Sequence, residues 1–203
     1  MTSFYSRHGK RLFDVIVSAC GLSVLSGGLL LIGSALYVRE GSPVFFRQRR
    51  VGRNGRVFEV VKFRTMECDA ERLGTVTTGS DSRVHATGRL LRRYKFDELP
   101  QLWNVLRGEM SFVGPRPDVP GYADRLVGSD RRILQLRPGI TGPASLAFRN
   151  EEELLARAEN PRRYNDEVIY PRKVALNLRY LDEMSLIKDL GYIVQTIFPK
   201  LIR

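Results

Sequence analysis

Cysteine is nearly absent from this 203-residue chain: Cys20 lies inside an apolar run and Cys68 stands alone. No disulfide framework, paired-cysteine motif or zinc spacing can be built from the two, which points to a reduced, cytosolic setting. Histidine is equally scarce, and neither His8 nor His85 has a Cys, Asp or second His partner at ligand spacing, so both are read as structural. Acidic residues are also in deficit, with 22 Asp and Glu against 33 Lys and Arg, a net charge of +11. An excess of that size implies an anionic partner, whether nucleic acid, lipid headgroups or a phosphorylated substrate. Internal repeats and a linker between two large domains are missing too, so residues 1–203 are read as one domain. Composition excludes wholesale disorder, since 43% of residues are hydrophobic and 27% charged.

Charge is missing altogether from Val15 to Val38, a run of about 24 residues and long enough to span a bilayer. No small-residue cleavage site follows Val38, so a signal peptide is excluded. Basic residues flank both sides, with Arg7, Lys10 and Arg11 before the run and Arg39, Arg47, Arg49, Arg50 and Arg53 after it. Cations prefer the cytoplasmic side, and one straight span cannot keep both flanks there. A helix that enters and returns on the same face would, and Ser26-Gly27-Gly28 offers a place to bend, because Ser bonds back to upstream carbonyls and Gly weakens the helix. The residues alone leave a re-entrant helix and a plain single-span anchor equally open.

Beyond the anchor, Val44 to Val51 and Arg56 to Phe63 are β-rich runs joined through Asn54-Gly55, the strongest short hairpin signal. Asp69 to Thr87 reads as a surface loop. Leu99, Leu102, Trp103 and Leu106 recur at helical spacing and Gly108 is placed to cap that helix. Two stiff, arginine-bearing loops follow, Val113 to Pro117 and Arg137 to Pro143, and are candidates for a binding site. Glu151 to Glu159 reads as a short charged helix, and Leu186 to Phe198 as an amphipathic one closed by Pro199.

The segment Arg92 to Leu102 sets adjacent carboxylates, Asp97 and Glu98, at a helix start directly after a cluster of cations. Asp is a favoured N-cap, Glu suits a first turn and Pro100 is tolerated there, so the bland reading is a well-made helix start. The sharper reading makes Asp97 a nucleophile that forms an acyl phosphate and divides one phosphoryl transfer into two displacements. That chemistry needs surrounding cations, for which Lys62, Arg64, Arg92 and Arg116 are candidates. It also calls for Mg²⁺ held by a carboxylate, phosphate oxygens and water.

The string from Phe96 through Asp97-Glu98-Leu99-Pro100-Gln101-Leu102 to Val113-Gly114-Pro115-Arg116-Pro117 closely resembles the signature of the monotopic phosphoglycosyl transferases, bacterial sugar transferases that initiate glycoconjugate assembly. The resemblance extends from Lys10-Arg11-Leu12-Phe13-Asp14 through Lys62 to Met66 and on to Pro138 to Gly142, nearly the whole chain. It implies a helix-rich α+β fold with a re-entrant membrane helix over 12–38 and a cytoplasmic catalytic part over 39–203. Within that part a small β-hairpin and amphipathic interfacial helices surround an active site facing the cytoplasm at the inner membrane. It further implies a ping-pong reaction: Asp97 attacks the β-phosphate of a UDP-sugar, UMP leaves, and polyprenyl phosphate takes the phospho-sugar. Asp97 and Glu98 are carried over as catalytic and Asp97 as the Mg²⁺ ligand. Lys62, Arg64, Arg92, Gln101, Pro115, Arg116, Pro117 and Thr141 become the substrate-binding set. Membrane lipids are implied as partners and nucleic acid is not; a homodimer is left open.

Two positions depart from the family pattern. Ser26-Gly27 stands where Ser-Pro is usual at the bend, and Asn177 where an acidic residue is common. Two alternatives compete: a basic, membrane-anchored binding protein, and a transferase that joins both substrates in one direct displacement with Asp97 only a metal ligand. The residue types do not choose the sugar.

Overall fold

A computed structural model describes residues 5–67 and 83–199. Most of the loop expected over Asp69 to Thr87, with Cys68, lies outside the described residues.

The charge-free run forms the core of one long helix, α1 (Lys10–Glu40), continuous with a π-helical turn at Tyr5–Gly9. Ser26-Gly27-Gly28 does not interrupt it, although Ser26 Oγ donates to the Ser23 carbonyl at 2.8 Å and Ser23 Oγ to the Ala19 carbonyl at 3.0 Å. Gly41 ends the helix at φ 71. Among the described residues this is the one helix long and apolar enough to cross a membrane.

Both ends of α1 dock on the same body. Near its start Lys10, Asp14 and Ser18 form a buried stripe at i, i+4, i+8. Asp14 Oδ1 accepts from Ser111 Oγ and the Phe112 amide, and Lys10 reaches Asp189 at 2.6 Å. Near its end Leu36 is buried with Phe63 and Leu91, and Leu29, Ile32 and Val44 pack around them. Ser23 to Gly28, between the two contacts, is exposed.

Strands β1 (Phe45–Val51) and β2 (Val57–Phe63) form the expected antiparallel hairpin, from Phe45 opposite Phe63 to Val51 opposite Val57. Its turn carries Asn54 and Gly55 at φ 58 and 78, the left-handed region that selected this dipeptide. Helix α2 (Ala86–Arg93) is capped by the His85 ring, which accepts from the Gly88 amide, so His85 is structural as expected. Helix α3 (Gln101–Arg107) ends at Gly108 with φ 82. Asn104 ties α3 to β2, accepting from the Val61 amide and donating to the Glu59 carbonyl and Glu109.

The two arginine-bearing loops contain a parallel strand pair that periodicity does not show, β3 (Ser111–Val113) with β4 (Gly139–Thr141). Its backbones approach so closely that a Cβ on Gly114 would meet the Arg137 carbonyl at 2.2 Å, and one on Gly142 the Gly114 carbonyl at 2.3 Å. Glycine is therefore required where the loops cross, and this fixes the Pro115 to Pro117 segment. Short helices α4 (Pro143–Ala147), α5 (Glu151–Ala156) and α6 (Pro161–Tyr164) lead to α7 (Tyr170–Glu183) and α8 (Leu186–Ile197).

Helix α8 is amphipathic as expected, with one adjustment. Ile193 turns inward against the cluster of Val113, Leu136 and Tyr180, while Ile187, Leu190, Val194, Ile197 and Phe198 face outward and are exposed. Asp189 of α8, fully buried, accepts from Tyr5, Tyr180 and Lys10. Removing one partner of a buried ion pair leaves the other charge uncompensated. Asp189→Ala is expected to lower stability by about 3 kcal/mol or more, read as a fall in detergent melting temperature; an unchanged melting point would show the network to be dispensable.

Candidate active site

The Asp97-Glu98 pair lies on a 3₁₀ turn, Phe96–Glu98, between α2 and α3. Lys95 precedes it at φ 60, a left-handed conformation costing a non-glycine residue about 1 kcal/mol and marking a chain reversal held by its surroundings. Neither this turn nor α3 receives a side-chain cap, so Asp97 is not employed as a helix cap. It is instead buried, 8% exposed, and its Oδ1 has no hydrogen-bond partner among the described residues. Burial raises its pKa above the usual carboxylate value and the Glu98 charge adds to the effect, against the pull of Lys62, Arg92 and Lys95.

Glu98 has the opposite environment. Lys62, from the end of β2, donates to its Oε1 at 2.9 Å, and Arg116, from the Pro115 to Pro117 segment, reaches the same oxygen at 3.2 Å. Burial would raise the Glu98 pKa, but Lys62 and Arg116 outweigh it and hold the group at about 2. The two carboxylates are thus driven apart: the Glu98 pKa is held down by its cations, and that of Asp97, whose Oδ1 is unpartnered among the described residues, is pushed up. Such a split separates roles at an active site.

The other expected binding residues sit at varied distances from the dyad. Arg92, at the end of α2, donates to Thr65 Oγ1 at 2.9 Å, and its charge is felt at Asp97. Arg64 is buried and donates to the carbonyls of Glu40, Gly41 and Ser42, where it closes the end of α1. Gln101 and Pro117 line a small crevice with Lys62, Glu98 and Arg116. Pro115 accepts from the Gly139 amide through its carbonyl. Thr141 is buried with its hydroxyl 2.5 Å from that of Thr196 on α8.

A broad open cavity joins these groups. It holds Lys62, Arg92, Asp97, Glu98, Arg116 and Thr141, and extends past Arg116 to Asn177, noted in the sequence only as a departure from the family pattern, and to Asp118, Ser145 and Lys173, which motif reading passed over. Asp118 follows the Pro-Arg-Pro segment directly and accepts from the Tyr170 hydroxyl at 3.3 Å. Burial pushes its pKa up to about 6, opposed by Lys173, the Tyr170 hydrogen bond and Arg50. The sequence signal was available: Tyr170, Lys173, Val174 and Asn177 recur at i, i+3, i+4, i+7 and so share one face of α7.

A buried carboxylate with an unpartnered oxygen, set among Lys62, Arg92 and Lys95, is the kind of site that handles an anionic substrate. The chain belongs to the bacterial sugar transferase family, which it matches over residues 5–203, and is a phosphoglycosyl transferase. It is 33% identical to the exopolysaccharide production protein ExoY of Sinorhizobium fredii, across 93% of this chain and 83% of that protein. It is 36% identical to a UDP-glucose:undecaprenyl-phosphate glucose-1-phosphate transferase of Caulobacter vibrioides, across 93% of this chain and 68% of the relative. A transferase of the same name from Escherichia coli is 34% identical, and there the match spans 39% of the longer protein.

Proposed function

We propose that this protein transfers a phospho-sugar from a UDP-sugar to polyprenyl phosphate, giving polyprenyl diphosphate-sugar and UMP, by way of a covalent phospho-sugar on Asp97. The observation that carries the reading is the buried, unpartnered Asp97 Oδ1 beside cations held in place by Glu98. The names of the Caulobacter and Escherichia relatives support the substrate class.

In the first half-reaction a carboxylate oxygen of Asp97 bonds to the β-phosphorus as the bond to the α-phosphate oxygen breaks, and UMP leaves. In the second, an oxygen of polyprenyl phosphate bonds to the same phosphorus and the Asp97 carboxylate is released. Lys62 and Arg116 neutralise charge on the phosphoryl oxygens, and Glu98 aims both cations. A carboxylate at a pKa of about 2 donates no proton near neutrality, so Glu98 acts by position and charge.

Mg²⁺ fits this donor set. Among the described residues no group of three metal-ligating side chains exists, so a closed protein cage is not available. Mg²⁺ commonly takes one or two carboxylates and completes its shell with substrate phosphate and water, and the orphaned Asp97 oxygen suits such a ligand. Bound there, it would supply charge neutralisation to the diphosphate.

The docking of α1 supports a membrane arrangement within the same reading. As a straight helix of 31 residues it would run about 46 Å, and a membrane-crossing segment would part its ends across about 30 Å of hydrocarbon. Both ends instead dock on one body, which favours a helix that dips into the cytoplasmic leaflet of the inner membrane and returns. Exposed Leu90, Tyr94, Phe96 and Trp103 around the dyad, with the outer face of α8, would rest at the same interface.

Two outcomes are expected. With the chain's own cysteines replaced by serine, Ser6→Cys and Ser42→Cys should both stay unlabelled by an impermeant thiol reagent outside intact cells; labelling at position 6 alone would mean a straight span. Ile187→Glu with Ile197→Glu on α8 should release protein from membranes or cause it to aggregate, measured by fractionation; unchanged fractionation and activity would place that face elsewhere. The function itself is tested by UMP release across a panel of UDP-sugars with undecaprenyl phosphate in detergent. Turnover of at least one sugar, dependent on the lipid for repeated cycles, is expected; release from none would reject the reading.

A further inference from the structure

Besides Asp97, two polar groups in the cavity wall lack a hydrogen-bond partner among the described residues. Asn177 Oδ1 on α7 and Ser145 Oγ on α4 are buried without a hydrogen bond among the described residues, and Asn177 is 5% exposed. Asn104 shows what a structural asparagine looks like here, since its amide is engaged on both sides by β2 and Glu109. An unpartnered buried polar group is costly, and folded proteins keep few of them without a functional reason.

The surroundings specify the chemistry. Asn177 and Lys173 share one face of α7, with Val174 between them and the Phe148 ring 5.9 Å from the Lys173 ammonium. Lys173 is already paired with Glu151 at 2.6 Å, so its charge is spoken for. What remains is an amide, a hydroxyl, an apolar wall and an aromatic ring. That set suits an uncharged polyhydroxyl ring, whereas a phosphate would call for unpaired cations. Both groups line the same cavity as Asp97, Glu98 and Arg116, where the diphosphate of the donor would lie.

We propose that Asn177, together with Ser145, forms a subsite for the hydroxyl groups of a carbohydrate ring of the donor, a proposal that rests on the donor being a nucleotide diphosphate-sugar. Two rings of such a donor carry this chemistry, the transferred hexose and the ribose. Asn177 and Ser145 are then specificity-determining residues, acting on donor affinity and leaving the phosphoryl chemistry untouched.

The test is steady-state UMP release by wild type, Asn177→Ala and Ser145→Ala with UDP-glucose and UDP-galactose at saturating undecaprenyl phosphate, with UMP inhibition and detergent melting temperatures alongside. Each variant should raise the donor KM about five- to tenfold, the effect of one neutral hydrogen bond, with kcat within about twofold. Melting temperatures should not fall appreciably, because Asn177 Oδ1 and Ser145 Oγ make no hydrogen bond among the described residues that the substitutions would break. A hexose subsite changes the ratio of the two donors' KM values and leaves UMP inhibition unaltered. A ribose subsite raises both KM values equally and weakens UMP inhibition. Unchanged KM for both donors in both variants, with wild type active, overturns the subsite alone. A wild type that turns over no UDP-sugar overturns the functional reading and the subsite with it.

Discussion

Asp97→Asn is expected to give a folded, membrane-bound protein whose turnover is lower by at least about 10⁴-fold, the scale of losing a nucleophile. An amide oxygen attacks phosphorus poorly and is a weaker Mg²⁺ ligand. Stability should hold or rise. The Asp97 pKa is raised in the folded protein by burial and by Glu98, so the folded state prefers the protonated carboxyl. Its contribution to stability is therefore full below the unfolded pKa and lost as pH rises through the higher folded one. Asn abolishes that loss. Asp97→Ala is informative beside it, because a capping role would cost about 0.5–2 kcal/mol and no cap bond is made here. The same raised pKa predicts that wild-type activity falls on acidification at a pH above the ordinary aspartate range, since the protonated carboxyl is no nucleophile. Retention of most activity by folded Asp97→Asn would refute the mechanism.

Glu98→Gln is expected to reduce kcat/KM by about 10²-fold, comparable to losing one preorganised charge interaction in an active site. Lys62 and Arg116 converge on a single Glu98 oxygen, and a neutral amide would leave two cations facing each other with nothing negative between them. The acidic limb should persist but move to lower pH, because the Glu98 charge that helps raise the Asp97 pKa is gone, while Glu98 itself is ionised down to a pH of about 2 and contributes no limb of its own. Loss of the acidic limb in this variant would assign the proton-managing role to Glu98 and contradict its place as an anchor. A loss of less than about threefold would remove it from the site.

Local signals in the chain carried those parts of the fold that have local causes. The charge-free run foretold a long apolar helix, which extends two residues beyond each end of the expected 12–38 segment, to Lys10 and Glu40. Asn54-Gly55 foretold the hairpin because only a left-handed pair closes it, and Gly108 foretold the end of α3 for a related reason. The β3/β4 pair was invisible, because three-residue strands distant in sequence leave no periodicity and the glycines that let them touch read as loop. At the site, residue types and family resemblance pointed to Asp97, Glu98, Lys62 and Arg116. They could not tell that Arg64 is occupied by the carbonyls ending α1, because that pairing depends on where the helix stops. Nor could they show Asn177 facing a cavity with its oxygen unpartnered, since α7 is a polar helix with only a helical period to suggest a face.

The covalent phospho-sugar on Asp97 separates this account from a direct displacement in which Asp97 serves only as a metal ligand. Wild-type protein is incubated briefly with UDP-glucose carrying a radioactive β-phosphorus, with Mg²⁺ and without polyprenyl phosphate, then denatured and digested. The account predicts label on the peptide containing Asp97, UMP released in matching amount, and discharge of that label when undecaprenyl phosphate is added before denaturation. UMP formed only when the lipid is present, with the protein unlabelled at every time point, would contradict it.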